Sequence, residues 1–132
     1  MAEQHPIMEI LHSGASLRIL DPQREPLTAE VRRIEKRLQF TFPESYRDFV
    51  AFGGLNELAF SNAILSPIEI LKEKSRIADR DLIPFASNGF GDFYCWRQND
   101  QPEPPVYFWD HDGGNATPVT GSFTEWLRAS KR

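Results

Sequence analysis

The sequence contains a single cysteine, Cys95, among its 132 residues. One thiol excludes an internal disulfide and a cysteine-based zinc site. No apolar run approaches the roughly 20 residues that a membrane-spanning helix requires, and the N-terminus lacks the basic and apolar segments of a signal peptide. These absences predict a cytoplasmic protein whose fold depends on neither a disulfide nor a membrane.

Basic residues are scarce relative to acidic ones. The chain has 15 lysines and arginines against 19 aspartates and glutamates, which gives a net charge of -4 at pH 7. Nucleic acid is therefore an unfavourable main partner, because binding to phosphates needs a basic surface. An acidic surface favours a basic protein partner, although the same charge can simply keep a protein soluble. Composition leaves both interpretations open.

Catalytic and nucleotide-binding motifs are absent as well. The sequence has no P-loop, no Gly-x-Ser-x-Gly and no His-Glu-x-x-His, and Gly89-Phe90-Gly91 is too short for a dinucleotide fingerprint. Cys95 lies in an aromatic run and has no neighbour in the sequence that would lower its pKa, so we expect a buried core residue. The sequence therefore predicts no cofactor and no covalent nucleophile.

What the sequence does contain is typical of one globular domain. Hydrophobic residues make up 40% of the chain and charged residues 26%, and this length supports a single core. Residues 1–26 are predicted to form a lead-in helix and loop, with Pro22 and Pro26 holding the loop. Residues 27–132 are predicted to form the rest of the same domain.

Cap residues and apolar spacing predict four further helices. The first begins at the N-cap Thr28 and runs to residue 39. The second has Pro43 in its first turn and ends at Gly53-Gly54. The last two open with capping boxes, one at Ser66-Pro67-Ile68-Glu69, with Ile68 and Leu71 on the apolar face, and one at Ser122 and Glu125.

Aromatic and β-branched runs bounded by turn residues predict the strands. They lie at residues 64–65, 82–86, 92–97, 105–110 and 116–120, the last at an edge because it contains Pro118. Short connections between them favour antiparallel pairing. Helices come first, strands cluster later and a helix closes the chain. This order predicts a single α+β domain with a mostly antiparallel sheet of about five to six strands flanked by helices.

The most reactive group of side chains is Asp110-His111-Asp112, with Asp92 adjacent across the sheet. Carboxylates and an imidazole can hold a divalent metal that activates water. Consecutive strand residues point to opposite faces, so all three could ligate one ion only where the strand ends. We favour the alternative in which Asp110 and Asp112 bond turn amides and His111 is half-exposed.

Large aromatic residues are candidate anchors for a partner, and they are equally the usual core of a small domain. Strand alternation places Tyr94 and Trp96 on one face of their strand, opposite Cys95, and places Tyr107 and Trp109 together on one face of theirs. One face must pack on helices, and the other, if exposed, would form an apolar interface. The sequence does not say which. The predicted partner-binding residues are Asp92, Tyr94, Trp96, Trp109, Asp110 and Asp112.

A series of motifs in order gives a family resemblance. They are Ile34-Glu35 with Leu38, Phe42-Pro43-Glu44, Gly53-Gly54, Ser66-Pro67-Ile68-Glu69, Ile83-Pro84-Phe85, the Gly89-to-Asp92 turn, Tyr94-Cys95, Val106-Tyr107-Phe108-Trp109-Asp110-His111, and Ser122-Phe123 with Trp126-Leu127. Together they resemble the SUKH superfamily, in particular its Smi–Knr group of bacterial immunity proteins and fungal cell-wall assembly regulators. The resemblance covers residues 27–128. One departure is Phe52, where relatives commonly have asparagine before the two glycines.

The resemblance implies an α+β domain that binds a partner and is not an enzyme. Many relatives neutralise toxins by covering them, and the fungal relatives act as scaffolds. The expected function is an immunity protein that occludes a basic toxin such as a nuclease. Two alternatives stay open: a scaffold or regulator of cell-envelope assembly, and a metal-dependent hydrolase using the Asp110-His111-Asp112 strand end. The identity of the toxin and the oligomeric state are not predicted.

Overall fold

A computed structural model of the chain describes residues 24–52, 54–56, 62–98 and 101–130. Within these residues the fold consists of four α-helices and one five-stranded antiparallel sheet, which confirms the predicted α+β class. The predicted lead-in helix and Gly53 lie outside the described residues. The division into residues 1–26 and 27–132 stays a prediction.

The elements follow one another along the chain with short connections. They are α1 (Arg24–Leu38), α2 (Glu44–Ala51), a 3-10 helix (Gly54–Asn56), β1 (Ala63–Ile64), α3 (Pro67–Lys74), β2 (Leu82–Ser87), β3 (Phe93–Arg97), β4 (Val106–Trp109), β5 (Ala116–Thr120) and α4 (Phe123–Ser130). The strand order in the sheet is β1-β2-β3-β4-β5, and every neighbouring pair is antiparallel. In such a meander the β2–β3 and β4–β5 turns lie at one end of the sheet and the β3–β4 connection lies at the other.

Two predictions about α1 are wrong. The helix begins at Arg24, so Thr28 lies within it and does not cap it, and Pro26 lies in the first turn and not in a loop. Proline is tolerated there because the first amides of a helix have no partner within it. The apolar face is as predicted, since Val31, Ile34 and Leu38 are buried.

The start of α2 depends on a residue far away in the sequence. Pro43 is its N-cap and makes no side-chain cap bond. Instead, Glu103 of the β3–β4 connection accepts hydrogen bonds from the backbone N–H of Ser45 at 3.0 Å and from the Ser45 hydroxyl at 2.6 Å. A carboxylate at a helix N-terminus satisfies free amides and interacts favourably with the helix dipole. This contact fastens the β3–β4 connection to α2.

The two predicted capping boxes differ. At α3, Ser66 and Glu69 form the complete box, with Ser66 N donating to Glu69 Oε1 at 2.8 Å. At α4, Glu125 N donates to Ser122 Oγ at 3.2 Å, but the Glu125 carboxylate accepts from Gly121 N, so only half of the box forms. The predicted apolar face of α3 is wrong at Ile68, which is 41% exposed, while Ile70 is fully buried.

Trp96 of β3 forms the centre of the hydrophobic core. Its ring stacks on Phe85 at a centroid distance of 4.5 Å and meets Tyr46 edge-on at 5.2 Å. Phe40, Phe42 and Phe123 complete the aromatic group around it. Each such ring pair stabilises a core by about 0.5–1.5 kcal/mol beyond its buried area. Phe85 is the unpaired residue of a β-bulge between Pro84 and Ala86 in β2.

The sheet face that packs on the helices is the one bearing Tyr94 and Trp96. The ring of Tyr94 lies 5.2 Å from Trp126 of α4. Cross-strand pairing puts Phe93 and Trp109 on the opposite face, with ring centroids 6.2 Å apart, and Cys95 lies on that same face, paired with Tyr107. Cys95 is fully buried, and burial raises the pKa of its thiol to about 12, so the prediction of an inert core cysteine is consistent with its surroundings.

Candidate functional site

Two turns at the same end of the sheet bring the predicted acidic residues together. The β2–β3 turn supplies Asn88 and Asp92, and the turn after β4 supplies Asp110, His111 and Asp112. We call these five residues the strand-end cluster. They are partly or largely exposed to solvent.

The carboxylate of Asp92 is the most heavily hydrogen-bonded group of the cluster. Its Oδ1 accepts from the backbone N–H of His111 at 3.0 Å and lies 2.6 Å from the imidazole Nδ1. Its Oδ2 accepts from the Asn88 amide at 2.9 Å. Because these donors stabilise the ionised form, with the backbone bond from His111 the largest cause, the pKa of Asp92 falls to about 2.

The imidazole of His111 lies between two carboxylates. While Nδ1 faces Asp92, Nε2 lies 3.2 Å from Asp112 Oδ1. The hydrogen bond with Asp92 is the main cause that raises the pKa of His111 above its ordinary value. A protonated imidazole donates from both nitrogens and has no lone pair left for a metal.

Asp110 closes the turn that follows β4. Its Oδ1 accepts from Asp112 N at 3.0 Å, and its backbone carbonyl accepts from Gly114 N at 2.7 Å. This is the predicted turn arrangement, and His111 is half-exposed as predicted. Asp112 differs from the prediction, because its carboxylate contacts His111 and does not bond a turn amide.

Within the described residues, three side chains of the strand-end cluster are the one group whose composition could form a metal site. One donor atom from each of Asp92, Asp110 and His111 lies within 4.8 Å of the others. However, the 2.6 Å contact between Asp92 Oδ1 and His111 Nδ1 is a hydrogen-bond distance. A metal would have to replace the proton that holds this contact, so the geometry fits a hydrogen-bonded turn better than a metal centre.

Acidic charge is concentrated in the part of the chain that builds this end of the sheet. Residues 81–127 carry seven aspartates and glutamates but only one lysine or arginine, Arg97. The remainder of the chain carries 14 lysines and arginines and 12 aspartates and glutamates. The net negative charge of the protein therefore belongs to the segment from β2 to the start of α4, and three of its seven acidic residues, Asp92, Asp110 and Asp112, belong to the strand-end cluster.

The structure separates the predicted partner-binding residues. Asp92, Asp110 and Asp112 come together, but the three aromatic residues do not join them. Trp96 has no exposed surface, so its prediction as a partner contact is wrong, because the helices cover that face of β3. Tyr94 packs between Phe108 and Trp126 on the same face. Trp109 lies on the other face and is 9% exposed.

Phe90 is an exposed residue beside the strand-end cluster that is not among the predicted site residues. It lies at the tip of the β2–β3 turn and is 80% exposed. The signal was present in Gly89-Phe90-Gly91, since a large apolar residue between two turn glycines has little core to reach. Its backbone N–H donates to Asn88 Oδ1 at 2.8 Å, which links it to the strand-end cluster.

A groove of about 630 Å³ lies at the other end of the sheet, between α2 and the β3–β4 connection. Its lining includes Gln39, Arg47, Gln98 and Glu103, and no histidine or cysteine is among its lining residues. Glu103 is already engaged as the cap of α2. Among its described lining residues the groove therefore presents no thiol nucleophile and no imidazole base.

The comparison with known families covers nearly all of the described fold. A profile of the SMI1 / KNR4 family (SUKH-1) matches residues 26–129, which extend from the first turn of α1 to the last turn of α4. Among curated proteins, none is similar enough to count as a match. In the described part of the chain, no helix combines the length and the apolar character that crossing a bilayer requires.

Proposed function

The chain belongs to the SMI1 / KNR4 family (SUKH-1), and on this premise we propose that it is a non-enzymatic protein-binding domain that neutralises a cognate toxin by covering it. The family match carries the proposal, because it includes all five strands and all four described α-helices. We place this action in the cytoplasm. Occlusion needs a complementary surface and no catalytic group.

The charge distribution supports a basic toxin, such as a nuclease, as the partner. Residues 81–127 contain seven aspartates and glutamates, and Arg97 is their one lysine or arginine. Asp112 exposes 86% of its side chain at the end of the sheet. An excess of exposed negative charge accelerates encounter with a cationic surface and disfavours nucleic acid and anionic membranes.

The strand-end cluster supports binding over hydrolysis. Asp92 already accepts three hydrogen bonds, and both nitrogens of His111 face carboxylates. A general base must be free to take a proton from a reactant, and neither group is free in this arrangement. Calorimetry with Mn²⁺, Zn²⁺ and Mg²⁺ checks the hydrolase alternative; heat of binding that disappears in Asp92→Asn would support it.

The decisive experiment co-expresses this chain with the toxin encoded beside its gene. We expect growth protection and a purified complex whose affinity falls as salt rises, because salt screens exposed charges. Absence of both protection and a complex would contradict the proposal. Recovery of envelope or cytoskeletal proteins by the tagged chain from its own cells would favour the scaffold alternative.

A further inference from the structure

Phe90 is the most exposed large hydrophobic residue of the described chain. It is 80% exposed, against 45% for Val119 and 41% for Ile68. A single exposed apolar side chain is ordinary on a protein surface. Its significance here depends on how the residue is held and on what surrounds it.

The turn that carries Phe90 is held in one conformation by its own side chains. Asn88 Oδ1 accepts from the N–H groups of Phe90 at 2.8 Å and Asp92 at 3.3 Å, and Ser87 Oγ accepts from Gly89 N at 3.0 Å. The Asn88 amide and His111 then fasten Asp92 from the other side. A ring presented on such a turn loses little conformational freedom on binding.

The two turns that meet at this end of the sheet carry acidic residues and no lysine or arginine. The turn of Phe90 continues into Asp92, which bonds His111, and His111 is followed by Asp112. The sequence has no lysine or arginine between Arg80 and Arg97 or between Arg97 and Arg128. Asp92 and Asp112 share His111 as a partner, and with Asp110 three carboxylates face one imidazole, so the charge beside the ring is net negative. An aromatic group beside net negative charge is complementary to a cationic surface with an apolar recess.

We propose that Phe90, Asp110 and Asp112 form one docking surface for a cationic protein, with the Phe90 ring in an apolar recess of that partner and the carboxylates beside its lysines and arginines. This inference rests on the proposed function and names its contact surface. A second copy of the chain would bring the same acidic surface against itself, which like-charge repulsion opposes. Nucleic acid and an anionic membrane are repelled for the same reason.

The test compares Phe90→Ser with Ile68→Ser, which removes an exposed apolar side chain from α3, far along the chain from the turn. Both variants should unfold at the wild-type temperature, because neither side chain belongs to the core. Against the toxin encoded beside the gene, we expect Phe90→Ser to raise the Kd about 30-fold or more, as an aromatic hot spot does. Ile68→Ser should leave the Kd unchanged.

The outcomes separate the two proposals. If the wild type binds the toxin and Phe90→Ser binds equally well, the docking surface is wrong and the proposed function stands.

If the wild type does not bind, the proposed function fails, and photo-crosslinking decides the docking surface. For this, p-benzoylphenylalanine replaces Phe90 or Ile68 in the source cells. A crosslink from position 90 alone, to a Lys- and Arg-rich peptide of one identified protein, supports the surface. No crosslink from position 90, or crosslinks from both positions, overturns it.

Discussion

Asp92 Oδ1 accepts the backbone N–H of His111 at 3.0 Å and lies 2.6 Å from its imidazole Nδ1. One residue therefore uses both its main chain and its side chain to hold one carboxylate oxygen. The contact joins the β2–β3 turn to the turn after β4, and these turns present Phe90 and the exposed acids.

We expect this contact to be strongest at mildly acidic pH. The pKa of His111 is raised above its ordinary value. The stabilisation of the fold by the protonated imidazole is therefore complete below the ordinary histidine pKa and is lost as pH rises through the raised pKa. The pKa of Asp92 is lowered to about 2. The stabilisation of the fold by its ionised carboxylate is therefore complete above the ordinary aspartate pKa and is lost as pH falls toward about 2. The window of greatest stabilisation therefore lies between the ordinary pKa of aspartate and that of histidine.

An NMR titration of the His111 ring checks this prediction. In the wild type the midpoint should lie above the ordinary histidine pKa, and in Asp92→Asn it should return toward that value. The matched variant Asp112→Asn should lower the midpoint less, because the hydrogen bond with Asp92 is the larger cause. A wild-type midpoint at or below the ordinary value would show that the imidazole is not held as described.

Two glycines of the β2–β3 turn give a controlled comparison. Both have positive φ, +85° at Gly89 and +98° at Gly91, but only at Gly91 would a Cβ meet another group, His111 Nδ1 at 3.2 Å. Gly89→Ala should lower the free energy of unfolding by about 1–2 kcal/mol through backbone strain alone. Gly91→Ala should cost about 1 kcal/mol more, because the imidazole must move.

Urea denaturation and the His111 titration together check this difference. The pKa of His111 should fall in Gly91→Ala and stay unchanged in Gly89→Ala, since only the first disturbs the contact with Asp92. Equal losses of stability with an unchanged titration in both variants would mean that the imidazole does not lie against Gly91.

Local patterns predicted the sheet well and its surroundings less well. Alternation and turn residues placed β5 at 116–120 with Pro118 at the edge, as the structure has it. The same alternation separated Trp96 from Cys95 but could not show which face the helices cover. That choice depends on packing between segments far apart in sequence. The sequence therefore predicts a partner contact for Trp96, whereas the structure places it at the centre of the core.

The candidate site was also predicted only in part, because some of its contacts join residues far apart in the sequence. Asp92, Asp110 and Asp112 follow from strand ends and turn chemistry, which are local signals. The double contact of His111 with Asp92 needs the register of β3 against β4, where Phe93 pairs with Trp109. Phe90 is not among the predicted site residues, although its place between two turn glycines favours exposure, and the structure shows it 80% exposed.

The exposed carboxylate of Asp112 should affect the rate of association more than the strength of the final complex. Asp112→Asn removes one negative charge at the proposed docking surface, and we expect a roughly two- to threefold lower association rate at low salt with little change in dissociation. Stopped-flow binding to the neighbouring toxin measures both rates. Asp81→Asn, an exposed acid at the other end of β2, is the control. A rate that both variants change equally would point to net charge alone.

Glu103 offers a test of the fold that does not depend on any partner. Its carboxylate accepts both the N–H and the hydroxyl of Ser45, a residue that is 7% exposed. Glu103→Ala leaves these donors and the N-terminus of α2 without their cap, so the free energy of unfolding should fall by about 1–2 kcal/mol. Glu103→Gln keeps an acceptor but not the charge, and it should cost about half as much, because helix N-termini favour negative charge. Urea denaturation measures both variants. If neither variant changes the unfolding midpoint, the β3–β4 connection does not cap α2 in solution.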